Sequence, residues 1–384
     1  MSAHEHVDVL VAGAGPAGCA AAITAARAGL RVLLVDRATF PRPKVCGDAL
    51  SNRAVALVAS LGAGAGLDAA PHADVHGALA LLPDGTAIER AYGSAVGRIV
   101  GRLDLDALLV DAAVRAGVTL REATSVESLT VERGAVVGAR VAGDDVRSRW
   151  VVAADGPGSV ARAALGAAKP LGRHLGVSAT AYFEGVAGAL REGWSEHWFH
   201  PSLPCGYGWI FPAVDGVVNA GVYLRRDAYD GAGVPLQRLF ADFLARHPER
   251  FGGATRIGAV RSWQLPLADV RAPTGMAGLV TAGDAGQHID PLTGEGIWQA
   301  LRSGVLAGEA CVAALRDGRA TADVLRAHRW KLLREIDAPS TLRGRIQDAM
   351  SAAVASGAWR NPALRRALRW GYGSGALEVS KTVS

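Results

Sequence analysis

The feature that most constrains this chain is a glycine-punctuated turn, Gly13-Ala-Gly15-Pro-Ala17-Gly18, set between the apolar run 7–11 and an alanine-rich run reaching Gly29. The first run reads as a buried strand and the second as a helix, and residues 31–36 read as a further strand. Each glycine has its own reason. Gly13 makes the tight turn, Gly15 lets a pyrophosphate approach the backbone, and Gly18 lets helix and strand pack closely. The helix start then offers free N–H groups and a positive dipole end to phosphates. Asp36 closes the second strand, at the spacing where a carboxylate accepts hydrogen bonds from a ribose, and Arg37 follows it. Strand, glycine turn, helix, strand and terminal acid in register predict a dinucleotide site.

This reading also settles an ambiguity of hydropathy. Residues 9–26 are uncharged and long enough to span a membrane, but their glycines and Pro16 break a helix in its first half. The chain has 384 residues, half of them hydrophobic, which excludes a disordered chain and allows two or three domains. The net charge is +5, and only four of the 41 basic residues are lysine. The arginines are scattered along the chain, which argues against nucleic-acid binding. Cys19, Cys46, Cys205 and Cys311 show no metal-type spacing, so no metal is expected, and they suit a reducing compartment. The N-terminus lacks a basic signal region, so a cytoplasmic protein is expected.

Two later segments specify the dinucleotide. One contains Asp155-Gly-Pro-Gly-Ser159-Val-Ala-Arg162, and the other runs from Gly283-Asp284 through Pro291 to Gly294-Glu-Gly296-Ile297. With the glycine turn they resemble the three fingerprints of the flavoprotein monooxygenase superfamily, the para-hydroxybenzoate hydroxylase fold. The resemblance implies FAD, with Asp284 holding the ribityl chain and the Gly294–Ile297 loop facing the flavin ring. Arg102 matches an arginine that opens a helix near the cofactor in that superfamily. Asp155 has a second reading as a helix cap, since Pro157 and Ser159 follow it. The cofactor contacts expected are thus Gly13, Gly15, Ala17, Gly18, Asp36 and Arg37, then Cys46, Gly47, Ala49, Arg102 and Val126, and finally Asp155, Asp284, Gly294, Gly296 and Ile297. No second G-x-G-x-x-G occurs, so electrons must come from transiently bound NAD(P)H, a ferredoxin-type donor or a separate reductase.

Two more segments narrow the family. Cys46-Gly47-Asp48-Ala49-Leu-Ser51 and Tyr207-Gly-Trp209-Ile-Phe211-Pro212 resemble the CGxxxS and YxWxFP segments of the geranylgeranyl reductase family, across about the first 310 residues. That resemblance implies reduction of isolated C=C bonds in prenyl chains. Related halogenases carry WxWxIP and a catalytic lysine, whereas Tyr207 and Phe211 stand here and Lys44 lies in the CGxxxS context. Tyr207, Trp209 and Phe211 alternate, so they share one strand face and make a flat apolar wall or an ordinary sheet core. Trp198 and His200 in the nearby aromatic run join them as candidate substrate contacts. Cys46, Tyr207 and His288 are the candidate proton donors, with Cys46 also readable as an inert buried thiol.

The expected fold class is α/β, a discontinuous Rossmann-like FAD domain (1–75, 96–170, 270–325) with a β-sheet substrate domain (76–95, 171–269) and a helical region, 326–384. Arginines and tryptophans in that last region read as a solvated helix face, or as a surface for a lipid head group or membrane. The substrate expected is a small apolar molecule. A monooxygenase or dehydrogenase tailoring a natural product, and a non-catalytic electron carrier, share the same cofactor residues and stay open as alternatives.

Overall fold

The structure is a computed structural model and describes residues 5–373. Its first sheet has eight strands. Five of them are parallel: Leu279–Thr281, Asp144–Ala153, Glu5–Ala12, Val32–Val35 and Thr119–Arg121, in that spatial order. Parallel strands buried on both faces need continuous apolar sequence, and Val9 to Ala12 and Val32 to Val35 are almost fully buried. Alternate residues serve two layers. Val9 and Val11 pack on helices Pro16–Arg27, Arg102–Arg115 and Ile297–Leu315. Leu10, Leu33 and Val151 pack on the antiparallel hairpin Val126–Glu132 and Ala135–Val141. The mixed α/β architecture is the expected fold class.

The second sheet has seven strands, ordered Thr255–Pro266, Leu175–Glu184, Val217–Arg225, Gly206–Ile210, Trp194–Trp198, Gly77–Leu81 and Ala87–Ala91. The hairpin 77–91 therefore joins strands more than a hundred positions later, with Gly77–Leu81 parallel to Trp194–Trp198. Helix Leu236–Ala245 covers one face through Leu236, Leu239, Phe240 and Phe243. The opposite face, carrying Tyr207, Trp209, Phe211 and Tyr223, turns toward the first sheet's loops.

Helices Thr321–Leu332, Ala338–Ser356 and Pro362–Gly373 complete the described chain. They are not simply a solvated face. Val324, His328 and Leu332 are buried, and Trp359 packs on Ala80, Leu82 and Ile88. Residues 374–384 of the expected helical region lie outside the described residues. Among the described residues, no helix is long and apolar enough to cross a membrane.

Candidate active site

One cavity of about 1400 Å³ runs between the two sheets. That exceeds the roughly 300–1,000 Å³ of sites for drug-sized ligands, leaving room for a dinucleotide and a second molecule. Its floor is the glycine turn. Gly13 adopts φ +94°, and a side chain there would run into the Ala154 carbonyl. A side chain at Gly18 would overlap the Gly13 carbonyl oxygen. At Gly15 only the Arg42 guanidinium lies near, 3.7 Å away, so the backbone stays open to the cavity. Asp36 pins this turn, its two oxygens accepting from Ala14 N and Ala38 N, each at 2.8 Å. Ala17, Arg37 and Val126 also line the cavity.

Polar groups continue along the wall. Asp155 lines the cavity; its Oδ2 accepts from Val160 N at 2.8 Å, which is not a helix-cap bond, while its buried Oδ1 makes no hydrogen bond. Asp284 lines the cavity too. Burial raises its carboxyl, against the opposing pull of Lys44 and Arg102. Helix Ile297–Leu315 starts at Gly296 with no side-chain cap and no acid in its first turn, so its free N–H groups favour an anion. Gly294, Gly296 and Ile297 border that opening. Arg102 is held by a bidentate pair with buried Asp106 (2.8 and 2.7 Å), which Arg42 also reaches at 3.2 Å.

Facing these loops is the aromatic wall. Trp209 and Phe211 stack with centroids 6.0 Å apart, and both back onto Gly47, where a Cβ would lie 3.1 Å from Phe211 and 3.6 Å from Trp209. Gly221 leaves the space that the Trp209 indole fills. The hydroxyl of Tyr207 donates to the Thr293 carbonyl, and that of Tyr223 to the Pro291 carbonyl at 2.8 Å. These two tyrosines therefore clamp the loop that leads to Gly294. Cys46 and Ala49 line the same part of the cavity, and burial pushes the Cys46 thiol up.

An amide hub joins wall and loop. Asn219 Oδ1 accepts from Trp209 Nε1 (2.9 Å) and Thr180 Oγ1 (2.8 Å). Its Nδ2 donates to Cys46 O and Asp48 Oδ2, both at 2.9 Å. Asn219 and Asp48 were not among the sequence candidates. Nor was Lys44, whose ammonium sits 3.4 Å from the Trp263 ring centroid and whose pKa burial lowers to about 8.

Three of the expected residues lie elsewhere. Trp198 points to the far face of its strand, packs against His247 with ring centroids 4.2 Å apart and planes tilted by 56°, and donates to Glu196, which pairs with Arg250 (2.9 and 2.8 Å). The alternate residues Ser195 and His197 line the cavity instead, followed by Phe199. His197 packs edge-on against Tyr207 and Phe211, and burial lowers its pKa to about 4. Strand alternation in 194–198 is the signal that separates Ser195 and His197 from Trp198. His200 bonds Ser202 and borders a small separate pocket beside Cys205. His288 is buried behind the Asp284 loop, 2.8 Å from Asp337 Oδ1, and does not line the cavity.

An open phosphate cradle, two uncapped helix starts and an unpartnered carboxylate oxygen on one cavity fit FAD and mark a dinucleotide-binding protein of the flavoprotein class. Residues 6–204 match the FAD binding domain family. A menaquinone reductase of Mycobacterium tuberculosis is 37% identical over 336 residues, 80% of this chain and 77% of that protein. A digeranylgeranylglycerophospholipid reductase of Methanocella arvoryzae is 31% identical over 83% of this chain and 80% of that protein. The crystal structure of a geranylgeranyl bacteriochlorophyll reductase-like protein from Thermoplasma acidophilum shares the fold, with a TM-score of 0.77, 23% identity and 92% of each chain covered. The chain belongs to the geranylgeranyl reductase family of FAD-dependent oxidoreductases.

Proposed function

We propose that this enzyme reduces C=C bonds in the prenyl chain of an apolar lipid, with a prenylated quinone such as menaquinone as the favoured substrate. The observation that carries this reading is the wall of Tyr207, Trp209 and Phe211 held against Gly47 and beside Gly294. When bound, the flavin supplies a hydride equivalent to one carbon of such a bond. The remaining work belongs to the protein. An isolated alkene is a poor acceptor, so it must be held flat and dry against the reacting face. The stacked rings offer that surface, and Ala78, Ala80, Phe199 and Met350 extend an apolar path along which a chain can lie. The likeness to menaquinone reductases at 37% identity favours a quinone head.

In this reading, 76–95 and 171–269 form the substrate half and the remaining sheet the FAD half. The electron donor, NAD(P)H or a ferredoxin-type or reductase partner, docks transiently because the chain carries one glycine fingerprint. Exposed Arg366 on the last helix would meet an anionic membrane surface, bringing the enzyme to its lipid.

The test is anaerobic. Bound FAD is reduced with dithionite, menaquinone is added, and the quinone head is afterwards reoxidised in air. A retained mass gain of two hydrogens in the prenyl chain supports the reading. No hydrogenated product from any prenyl compound, with rapid O₂ consumption and an oxygenated product, overturns it in favour of a monooxygenase.

A further inference from the structure

Adding hydrogen across a C=C bond takes a hydride equivalent at one carbon and a proton at the other. The donors suggested by the sequence are constrained: Tyr207 donates to a carbonyl, His288 lies off the cavity, and burial pushes the Cys46 thiol up. Asp48 is different. It is 2% exposed, lines the cavity two residues from Cys46, and holds a left-handed backbone (φ 63°). Its Oδ2 accepts from Asn219 Nδ2 at 2.9 Å and from the Tyr182 hydroxyl at 2.5 Å, whereas its buried Oδ1 has no protein partner. With one oxygen engaged by two donors, a proton on the carboxyl belongs on the other.

We propose that Asp48, protonated on Oδ1, is the proton donor of the C=C reduction, and that Tyr182 connects it to solvent. This rests on the reductase reading above. In the step, the Oδ1–H bond breaks as a C–H bond forms at the alkene carbon that does not receive the hydride equivalent. The two electrons come from the reduced flavin, and Asp48 is left as a carboxylate held by Asn219 and Tyr182. Tyr182 is 37% exposed and its hydroxyl donates to Oδ2, so reprotonation through it places the proton on Oδ2, and a half-turn of the carboxyl about its Cβ–Cγ bond returns that proton to the Oδ1 position for the next step. Burial pushes the Asp48 carboxyl up to about 6, against the opposing effects of Tyr182, Asn219 and Arg102, the groups that face it together with Cys46. That places the acid in the range a general acid needs near neutral pH.

The variant Asp48→Asn tests this, since asparagine accepts a left-handed backbone and folding is preserved. Retained flavin absorbance reports that the variant is loaded. The unaltered enzyme should hydrogenate menaquinone at a rate that falls as pH rises through about 6. Asp48→Asn should be slower by roughly 10²–10⁴-fold and lose that pH dependence. Independently of turnover, infrared titration of the oxidised, FAD-loaded protein should show a buried protonated carboxyl that disappears in Asp48→Asn. Equal rate and pH profile in a loaded Asp48→Asn, or persistence of that carboxyl band, would overturn the assignment. No hydrogenated product from the unaltered enzyme at any pH would instead overturn the reductase reading and this one with it.

Discussion

The cavity is bounded by two regions built on opposite principles. On the nucleotide side, the groups that shape the cradle come from one turn of six residues, Gly13 to Gly18, and from Asp36, which bonds back to Ala14. On the aromatic side, the hub residue Asn219 bonds a carbonyl 173 positions earlier and an indole on the neighbouring strand. The first region is set by close backbone packing, including the Ala154 carbonyl behind Gly13, so disturbing it should cost the whole site. The second is set by long-range side-chain contacts, so disturbing it should leave the cofactor in place and change what is done beside it.

The largest effect should come from Gly18→Val. The added side chain overlaps the Gly13 carbonyl, a backbone atom that cannot move without unmaking the turn. We expect little folded protein and no bound flavin, checked by soluble yield and visible absorbance. The matching change on the other side is Gly221→Ala, whose Cβ would press on the Trp209 indole and also on the Ala179 carbonyl of the adjacent strand. Overpacking of this kind costs about 1–3 kcal/mol. FAD should be retained while turnover on a prenyl substrate falls at least about tenfold. Equal loss of flavin in both variants would erase the distinction between the two regions.

Asn219→Ala comes next. It removes acceptors from Trp209 and Thr180 and donors from Cys46 O and Asp48. Leaving buried partners unsatisfied costs about 1–3 kcal/mol each, though Thr180 keeps the Ala220 carbonyl at 3.0 Å. We expect a loss of about 3 kcal/mol in denaturant unfolding of the loaded protein. Loss of a donor to the Asp48 carboxylate also raises that acid further, so the decline of activity should move to higher pH. An unchanged pH profile would detach Asn219 from Asp48.

A buried histidine gives the nucleotide region its own acid sensitivity. Burial lowers His328 to about 4, and nearby His288 and Lys331 act in the same direction. The unfolded chain therefore takes up a proton near pH 6.5 that the folded chain refuses. Its contribution is fully present above about 6.5 and is lost as pH falls toward 4, on the order of 3 kcal/mol. The variant His328→Leu should unfold with a shallower pH dependence between those limits.

The difference between the regions also explains what the sequence could disclose. Glycines mark positions that need a positive φ, as at Gly13 and Gly294, or a close backbone approach, as at Gly15 and Gly18, so the turn is legible in the sequence itself. Alternation exposed the shared face of Tyr207, Trp209 and Phe211. It could not say which strand faces pack on which helices, because that depends on pairings such as Trp194–Trp198 with Gly77–Leu81. Asn219 and Asp48 carry no local signature at all. Their roles exist only once Val217–Arg225 is brought against the Cys46 loop.

The smallest effect is the sharpest probe of that face assignment. Trp198 looks like part of the wall in sequence, yet its indole packs against His247 and donates to Glu196 at 3.1 Å, on the side covered by helix Leu236–Ala245. Trp198→Phe keeps an aromatic ring there and removes one donor from a carboxylate that Arg250 already holds through two bonds. A net hydrogen bond is worth about 0.5–1.5 kcal/mol, rising to about 1.5–3 when one partner is charged, so unfolding should register a small loss. The kcat and KM for a prenyl substrate should stay within about twofold of the unaltered enzyme, whereas His197→Leu, one position away on the cavity face, should raise KM. If Trp198→Phe raises KM and His197→Leu does not, the strand presents its other face to the substrate, and the wall must be redrawn around Trp194, Glu196 and Trp198.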